Sequence, residues 1–292
     1  MFYFSTIDHR LNDADQNDLY NDKNNLDRLF GCDNLPETVL RRISGCFSNR
    51  DYDVLSQPST DFPPVDLILK PSFDTSAGQD VELLRYVNGR HVFTDGRILA
   101  DVDLTCDFGQ HFIIQKMIRQ HDFCASFNPG SINTFRVFIY RSVIDEQIHV
   151  LKVVFKTGCG NTVVDNQVAG GVVSVVDSEG CLADFALTAL GEKVMHHPGS
   201  QREFKGAVVP HFDKIISFAK SLGNRVATHR TMGLDVALTE NNEAKLIEAN
   251  PMSVAIDIMQ CDGGPLFGEF SDEVRDYCVA HPEMQRKKII RP

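Results

Sequence analysis

The chain lacks most of the features that fix a protein's class at a glance. Its eight cysteines include no Cys-x-x-Cys pair and no regular spacing. Neither a zinc finger nor a disulfide framework is therefore expected, and free thiols in a reducing compartment are the simplest reading. No apolar run approaches the ~18 residues of a transmembrane helix. The opening Met-Phe-Tyr-Phe-Ser-Thr-Ile-Asp-His-Arg has no basic region followed by a long apolar stretch, so it does not read as a secretion signal. A cytoplasmic protein without membrane insertion is the expectation. Positive charge is also scarce: 29 Lys and Arg stand against 40 Asp and Glu, a formal net charge of −11. With no basic stripe, nucleic acid is excluded as a general partner. An anionic ligand would have to be met by cations gathered locally. The chain also has no Walker loop, internal repeat or low-complexity segment, and no Ser–His or Cys–His pattern.

What remains is an ordinary soluble composition, 42% hydrophobic and 24% charged over 292 residues. Residues 1–60 are polar and read as an N-terminal helical segment. Helices are expected over 22–30 and 36–43, with Asn34 capping the second, and a linker over 49–64. From Val65 the character changes. Strands are expected at 65–70, within 81–104 around turns at Asn88-Gly89 and Asp95-Gly96, and at 135–140, 150–155 and 172–176. Residues 111–121 read as a strand or a hinge. Residues 212–222 read as an amphipathic helix with Gly223 as its stop, and 270–279 as the last helix. The mixed order of strands and helices indicates an α+β fold. A chain of 292 residues can hold one large domain or two.

The most informative stretch is Gly-Leu-Asp-Val-Ala-Leu-Thr (233–239), a polar turn, and Lys-Leu-Ile-Glu-Ala-Asn-Pro (245–251). It reads as a hairpin. If the turn centres on Asn241 and Asn242, Asp235 lies opposite Glu248, and Asn250 shares their face by strand alternation. Leu234, Val236, Leu238, Ile247 and Ala249 form the other, core face. Opposed carboxylates destabilise a sheet unless something compensates them. A divalent cation with hard oxygen ligands, completed by nucleotide phosphates, would do so. An exposed hairpin with its acids in water is the plainer alternative.

Other candidates are cationic. Lys70 ends an apolar strand and can reach a phosphate or turn to solvent. The small residues after it, Ser72 to Gly78, can form a flap over phosphates. Arg136 lies in an apolar strand and needs a carboxylate or phosphate, a structural ion pair included. Lys152, Lys156 and the basic loop with Arg202 and Lys205 are further cations. Asn166 with Gly170-Gly171 can form a second closing loop.

Taken in order, Asp-Lys-Asn (22–24), Leu-Pro-Glu-Thr-Val (35–39), Leu-Lys-Pro (69–71), Ser-Ile-Asn-Thr-Phe-Arg (131–136), Val-Asp-Asn-x-x-x-Gly-Gly (164–171), His-Pro (197–198) and the two hairpin strands stop being independent. The chain resembles the ATP-grasp superfamily, and within it the sugar-transfer-associated group related to α-L-glutamate ligases, over about residues 10 to 270. The resemblance implies two α+β subdomains, a small one over 61–120 and a large one over 121–292, gripping ATP and one or two Mg²⁺ ions. It implies Lys70 as a phosphate-binding lysine, with Ser72, Ser76 and Gly78 in its flap. Gln115, Lys116 and Ile118 fall in the adenine hinge, where the family usually carries an acid in place of Gln115-Lys116. Asp235, Glu248 and Asn250 fall on the metal ligands, and Arg136 and Asn166 near the γ-phosphate and acceptor.

The implied activity is an ATP-dependent carboxylate–amine ligase working through an acylphosphate. Its acceptor would be an anionic small molecule or sugar-linked group, its second substrate an amine or amino acid, and its setting the tailoring of a cell-surface glycan or its precursor. The alternative is an ATP-grasp kinase acting on a small-molecule hydroxyl.

Overall fold

The computed structural model describes residues 2–58, 61–73, 80–160, 165, 170–252, 260 and 264–282. Among them two seven-stranded sheets form, every strand pair antiparallel. This is the expected α+β architecture. The first sheet holds β1 (Thr38–Ile43), β2 (Cys46–Ser48), β3 (Val54–Leu55), β4 (Leu67–Pro71), β5 (Glu82–Val87), β6 (Arg90–Phe93) and β7 (Phe112–Lys116), in the order β3-β2-β1-β7-β4-β5-β6. The second holds β8 (Thr134–Arg141), β9 (Ile148–Thr157), β10 (Val172–Val176), β11 (Ala186–Leu187), β12 (Lys193–Val194), β13 (Thr231–Leu238) and β14 (Ala244–Asn250), in the order β12-β11-β10-β9-β8-β13-β14.

The N-terminal third corrects three expectations. The helix read over 36–43 is instead β1, paired to both β2 and β7. Its Thr-Val-Leu-Arg-Arg-Ile sequence suits a pleated surface, and tertiary pairing overrides the capping signal. Asn34 caps backwards: its Nδ2 donates to the Phe30 carbonyl, 2.7 Å away, at the end of the preceding helix. The expected linker contains β3, which pairs with β2. The helix read over 22–30 keeps only Leu26–Phe30. Residues 22–25 turn instead, because the Asp22 carboxylate accepts from the Asn24 N–H at 3.0 Å, a local bond that competes with helix.

The second sheet is covered on both faces. On one, Phe135, Val137, Phe155, Leu234 and Val236 meet Ile215, Ala219 and Leu222 of the helix Phe212–Gly223. Gly223 ends that helix, and its backbone lies against the sheet: a Cβ there would sit 2.8 Å from Ile148 and 2.9 Å from Ile139. Close approach, not the expected glycine stop, explains this residue: Gly223 has no positive φ and Asn224 caps the helix. On the other face, Phe138, Tyr140, Val154 and Val173 pack against Leu11, Leu266 and Phe267 and against Val274 and Cys278 of the last helix, Ser271–Ala280. This second apolar cluster covers only part of its face. The rest of that face is polar and opens toward the first sheet.

The chain passes between the sheets just after β7, and the passage is pinned. The Met117 N–H donates to Asp66 O at 2.9 Å, the His121 N–H to Leu238 O at 2.9 Å and the Glu240 N–H to Arg119 O at 2.9 Å.

Candidate functional site

Strand register sets the site. Asp235 on β13 is paired with Arg136 on β8 and, on its other side, with Glu248 on β14. Side chains opposite one another on antiparallel strands share a face, so three charged groups stand in one row. Lys156 on β9 lies opposite Thr134, one alternation further along. The hairpin reading thus meets its register at the acids, but a bulge intervenes between Asp235 and Val236 in the pairing. The extra residue on β14 reverses the alternation there. Leu246 is buried in the core, and Ile247, expected in the core, lines the cleft instead.

The row divides into two halves. In the inner half Arg136 grips Asp235 with both arms, Nε to Oδ1 at 2.7 Å and Nη2 to Oδ2 at 2.8 Å. Lys156 Nζ lies 3.0 Å from Asp235 Oδ2 and 3.4 Å from Asp165 Oδ1. The Thr134 N–H donates to Asp165 Oδ2 at 3.1 Å, and its hydroxyl donates to the same oxygen. Burial alone would raise the Asp235 pKa, but the Arg136 guanidinium and Lys156 ammonium outweigh it and hold the carboxyl below the usual range. Burial works against the charge of Lys156 too, yet Asp165 and Asp235 leave its pKa raised. For Asp165, burial prevails and raises the pKa. Arg136 therefore finds the carboxylate that its apolar strand demanded, and that carboxylate is the expected metal ligand.

The outer half is looser. Glu248 is 34% exposed, against 3% for Asp235. Its Oε1 lies 3.3 Å from Lys23 Nζ. Across the cleft Lys70 projects from β4 of the first sheet, buried to 8% exposure. Burial first, then repulsion by Lys23, pulls its pKa down from 10.5 to about 8, with Glu248 opposing the shift. Asn250 places its Nδ2 3.4 Å from Gly233 O.

Lys70, Gln115, Lys116, Ile118, Arg136, Asp235, Glu248 and Asn250 all line one cleft of about 940 Å³ between the sheets, the size range of a small-molecule site. Gln115 is held by Pro36 O at 3.2 Å and Thr38 Oγ1 at 3.3 Å. Lys116 pairs with Glu37 at 2.7 Å, so an acid does stand beside the hinge, supplied from outside it. Ser72 is not among the lining residues, and its hydroxyl is buried without a hydrogen-bond partner. Ser76, Gly78 and Asn166 lie outside the described residues. The basic loop does not reach the cleft: Arg202 packs 4.5 Å from the Phe127 ring centroid and Lys205 pairs with Asp184 at 3.3 Å. Lys152 is likewise not a lining residue.

Sequence reasoning gave no role to two residues of the site, Lys23 and Asp165. Each lay inside a noted motif, Asp-Lys-Asn and Val-Asp-Asn, and that was the available signal. Among the described residues the lining carries seven lysines and arginines against three carboxylates; Arg85 and Lys116 are paired with Asp66 and Glu37 just outside it, which leaves a surplus of two positive charges in a chain of net −11. That is the local gathering of cations which an anionic ligand requires.

A hard divalent cation is matched in kind by Glu248, Asn250 and Asp235, which offer only carboxylate and amide oxygens. Glu248 fits it in exposure as well. Asp235 is committed to two cations and would have to be released. No cluster of three His, Cys, Asp or Glu occurs among the described residues. The candidate set has two carboxylates and one amide.

The family model described as sugar-transfer-associated ATP-grasp matches residues 7–271. No curated protein matches the chain significantly. Similar solved structures include N5-carboxyaminoimidazole ribonucleotide synthetase in its ADP complex, with 14% identity, a TM-score of 0.48, and coverage of 89% of this chain and 52% of that one. A putative ATP-grasp superfamily protein from Archaeoglobus fulgidus shows 11% identity, a TM-score of 0.45, and coverage of 91% and 56%. D-alanine–D-alanine ligase from Bacillus anthracis shows 8% identity, a TM-score of 0.46, and coverage of 90% and 68%. The chain spans about half the length of the first of these structures. No described helix is long and apolar enough to cross a membrane.

Proposed function

The chain belongs to the sugar-transfer-associated ATP-grasp family, and from that premise we propose that it is an ATP- and Mg²⁺-dependent carboxylate–amine ligase. The observation that carries the reading is the cleft itself. Two carboxylates and an amide share one face of the second sheet, opposite Lys70 of the first, inside a lining with surplus positive charge.

The nucleotide would lie with its base against the 115–118 hinge and its phosphates toward Lys70. Glu248 and Asn250 would hold Mg²⁺, with Asp235 as a third oxygen donor. The ion would supply charge neutralisation on the phosphates. A substrate carboxylate oxygen attacks the γ-phosphorus, and ADP leaves. The amine nitrogen then attacks the acyl carbon, inorganic phosphate leaves, and the nitrogen loses a proton. Phosphoryl transfer asks the protein for positioning and charge stabilisation rather than a side-chain nucleophile. Lys70 offsets phosphate charge. Arg136 and Lys156 are positioned to meet an oxyanion if they yield Asp235. The anionic acceptor, carboxylate-bearing and small or sugar-linked, enters by the same cationic surface. A glycan-tailoring setting is in keeping with the family's description alone.

Hydroxylamine tests the chemistry. With ATP, Mg²⁺ and a pool of carboxylate-bearing metabolites, an acylphosphate is trapped as a hydroxamate in the absence of the amine. A stable phosphate ester as sole product, insensitive to hydroxylamine, identifies a kinase instead and overturns the ligase reading.

A further inference from the structure

Among the described residues, the carboxylates lining the cleft are Asp165, Asp235 and Glu248. Asp235 and Glu248 stand opposite one another on β13 and β14 and are the expected metal ligands. Asp165 lies on neither strand, and its two oxygens differ. Oδ2 accepts from both the N–H and the hydroxyl of Thr134, which fixes the carboxyl at the start of β8. Oδ1 lies 3.4 Å from Lys156 Nζ, and that ammonium sits closer to Asp235, at 3.0 Å. One oxygen is thus anchored, and the other keeps capacity for a proton. The side chain is 13% exposed and lines the cleft. Burial raises its pKa against the pull of Lys156, which makes it a better proton acceptor than a solvated carboxylate. The second step of the ligase chemistry needs such a group. An alkylamine is largely an ammonium at neutral pH and cannot attack until it loses a proton. The described lining holds no histidine, tyrosine or cysteine to take that proton. Lys70, with its pKa at about 8, lies across the cleft on β4, where the phosphates are expected. A cationic substrate also meets the surplus positive charge of the lining, so it needs a carboxylate to enter.

Resting on the ligase reading of the cleft, we propose that Asp165 is the general base that receives a primary alkylammonium substrate, amino acids included, and takes its first proton. An ammonium N–H bond breaks, its electron pair stays on nitrogen, and the proton passes to Asp165 Oδ1. The neutral nitrogen attacks the acyl carbon of the acylphosphate, and the bond from that carbon to the phosphate oxygen breaks. The surplus proton on nitrogen leaves with the inorganic phosphate. Asp165 returns its own proton to water once the amide departs.

Asp165→Asn tests this, because the amide keeps an oxygen for Thr134 and loses the base. With ATP, Mg²⁺ and the carboxylate pool, two kinds of nucleophile are compared by mass spectrometry. Hydroxylamine is already neutral at neutral pH and needs no base. A mixture of the common amino acids with ethanolamine supplies the ammonium. The ratio of hydroxamate to amide should rise about a hundredfold in the variant, the scale of one general base. Asp165→Glu should bring the ratio back toward the wild-type value. If Asp165→Asn does not fold, Asp165→Ser is put through the same comparison. A purely structural role lowers both products together, so an unchanged ratio overturns the proposal. Wild type that forms hydroxamate but no amide with these amines overturns this proposal alone. Wild type that forms no hydroxamate overturns the ligase reading and this proposal together.

Discussion

The two carboxylates of the charged row are neighbours on adjacent strands, yet their surroundings differ sharply. Asp235 is nearly inaccessible and takes two cations on its two oxygens, whereas Glu248 is a third exposed and faces one lysine. The inner half is thus a closed electrostatic unit, with Arg136 and Lys156 balanced by Asp235 and Asp165. In the outer half Lys23 pairs with Glu248, and buried Lys70 stands close enough to feel both charges. The difference indicates a division of labour. The inner unit holds β8, β9 and β13 in register, and the outer half is where charge from a ligand is welcome.

Four changes probe that division, in falling order of expected effect. Glu248→Gln should abolish ATP turnover while urea unfolding shifts by less than about 1 kcal/mol, the scale of a partly exposed ion pair. ADP release and denaturation curves report the two. Asp235→Asn should do the reverse in stability. It leaves two buried cations facing Asp165, and breaking a buried pair costs roughly 3–5 kcal/mol. Equal stability losses in the two variants would erase the contrast. Lys70→Ala should weaken ATP binding by about 1.5–3 kcal/mol in calorimetry.

The smallest effect is in pH. The folded pKa of Lys70 is about 8, below its ordinary 10.5. Below pH 8 both states are protonated and the buried charge costs stability. Between about 8 and 10.5 the unfolded chain holds a proton that the folded one lacks, so the stability of the ligand-free protein rises with pH there. Phosphate favours the charged lysine, so nucleotide binding above pH 8 should take up a fraction of a proton and weaken as pH rises. Calorimetry in buffers of different ionisation enthalpy measures that uptake; proton release would contradict the placement of Lys70.

The sequence disclosed the acidic hairpin because strand alternation and a polar turn fix register over a few residues. It did not disclose the bulge that turns Ile247 into the cleft, since an extra residue leaves no mark in a pattern of apolar positions. Residues 36–43 carried helix-start signals, and pairing with β2 and β7 made them a strand. Arg136 was readable as a residue needing an anion, because an arginine among Phe135, Val137 and Phe138 cannot stay unpaired. Its partner Asp235 lies 99 positions away and was visible only through sheet register. Lys23 is 225 positions from Glu248, and only the fold brings them together.

Diffraction from crystals grown with Mn²⁺ and the β,γ-imido analogue of ATP tests the account most directly. The anomalous peak is expected in contact with Glu248 and Asn250, with the phosphates beside Lys70 and the base along residues 115–118. A metal peak and nucleotide located away from these residues would contradict it.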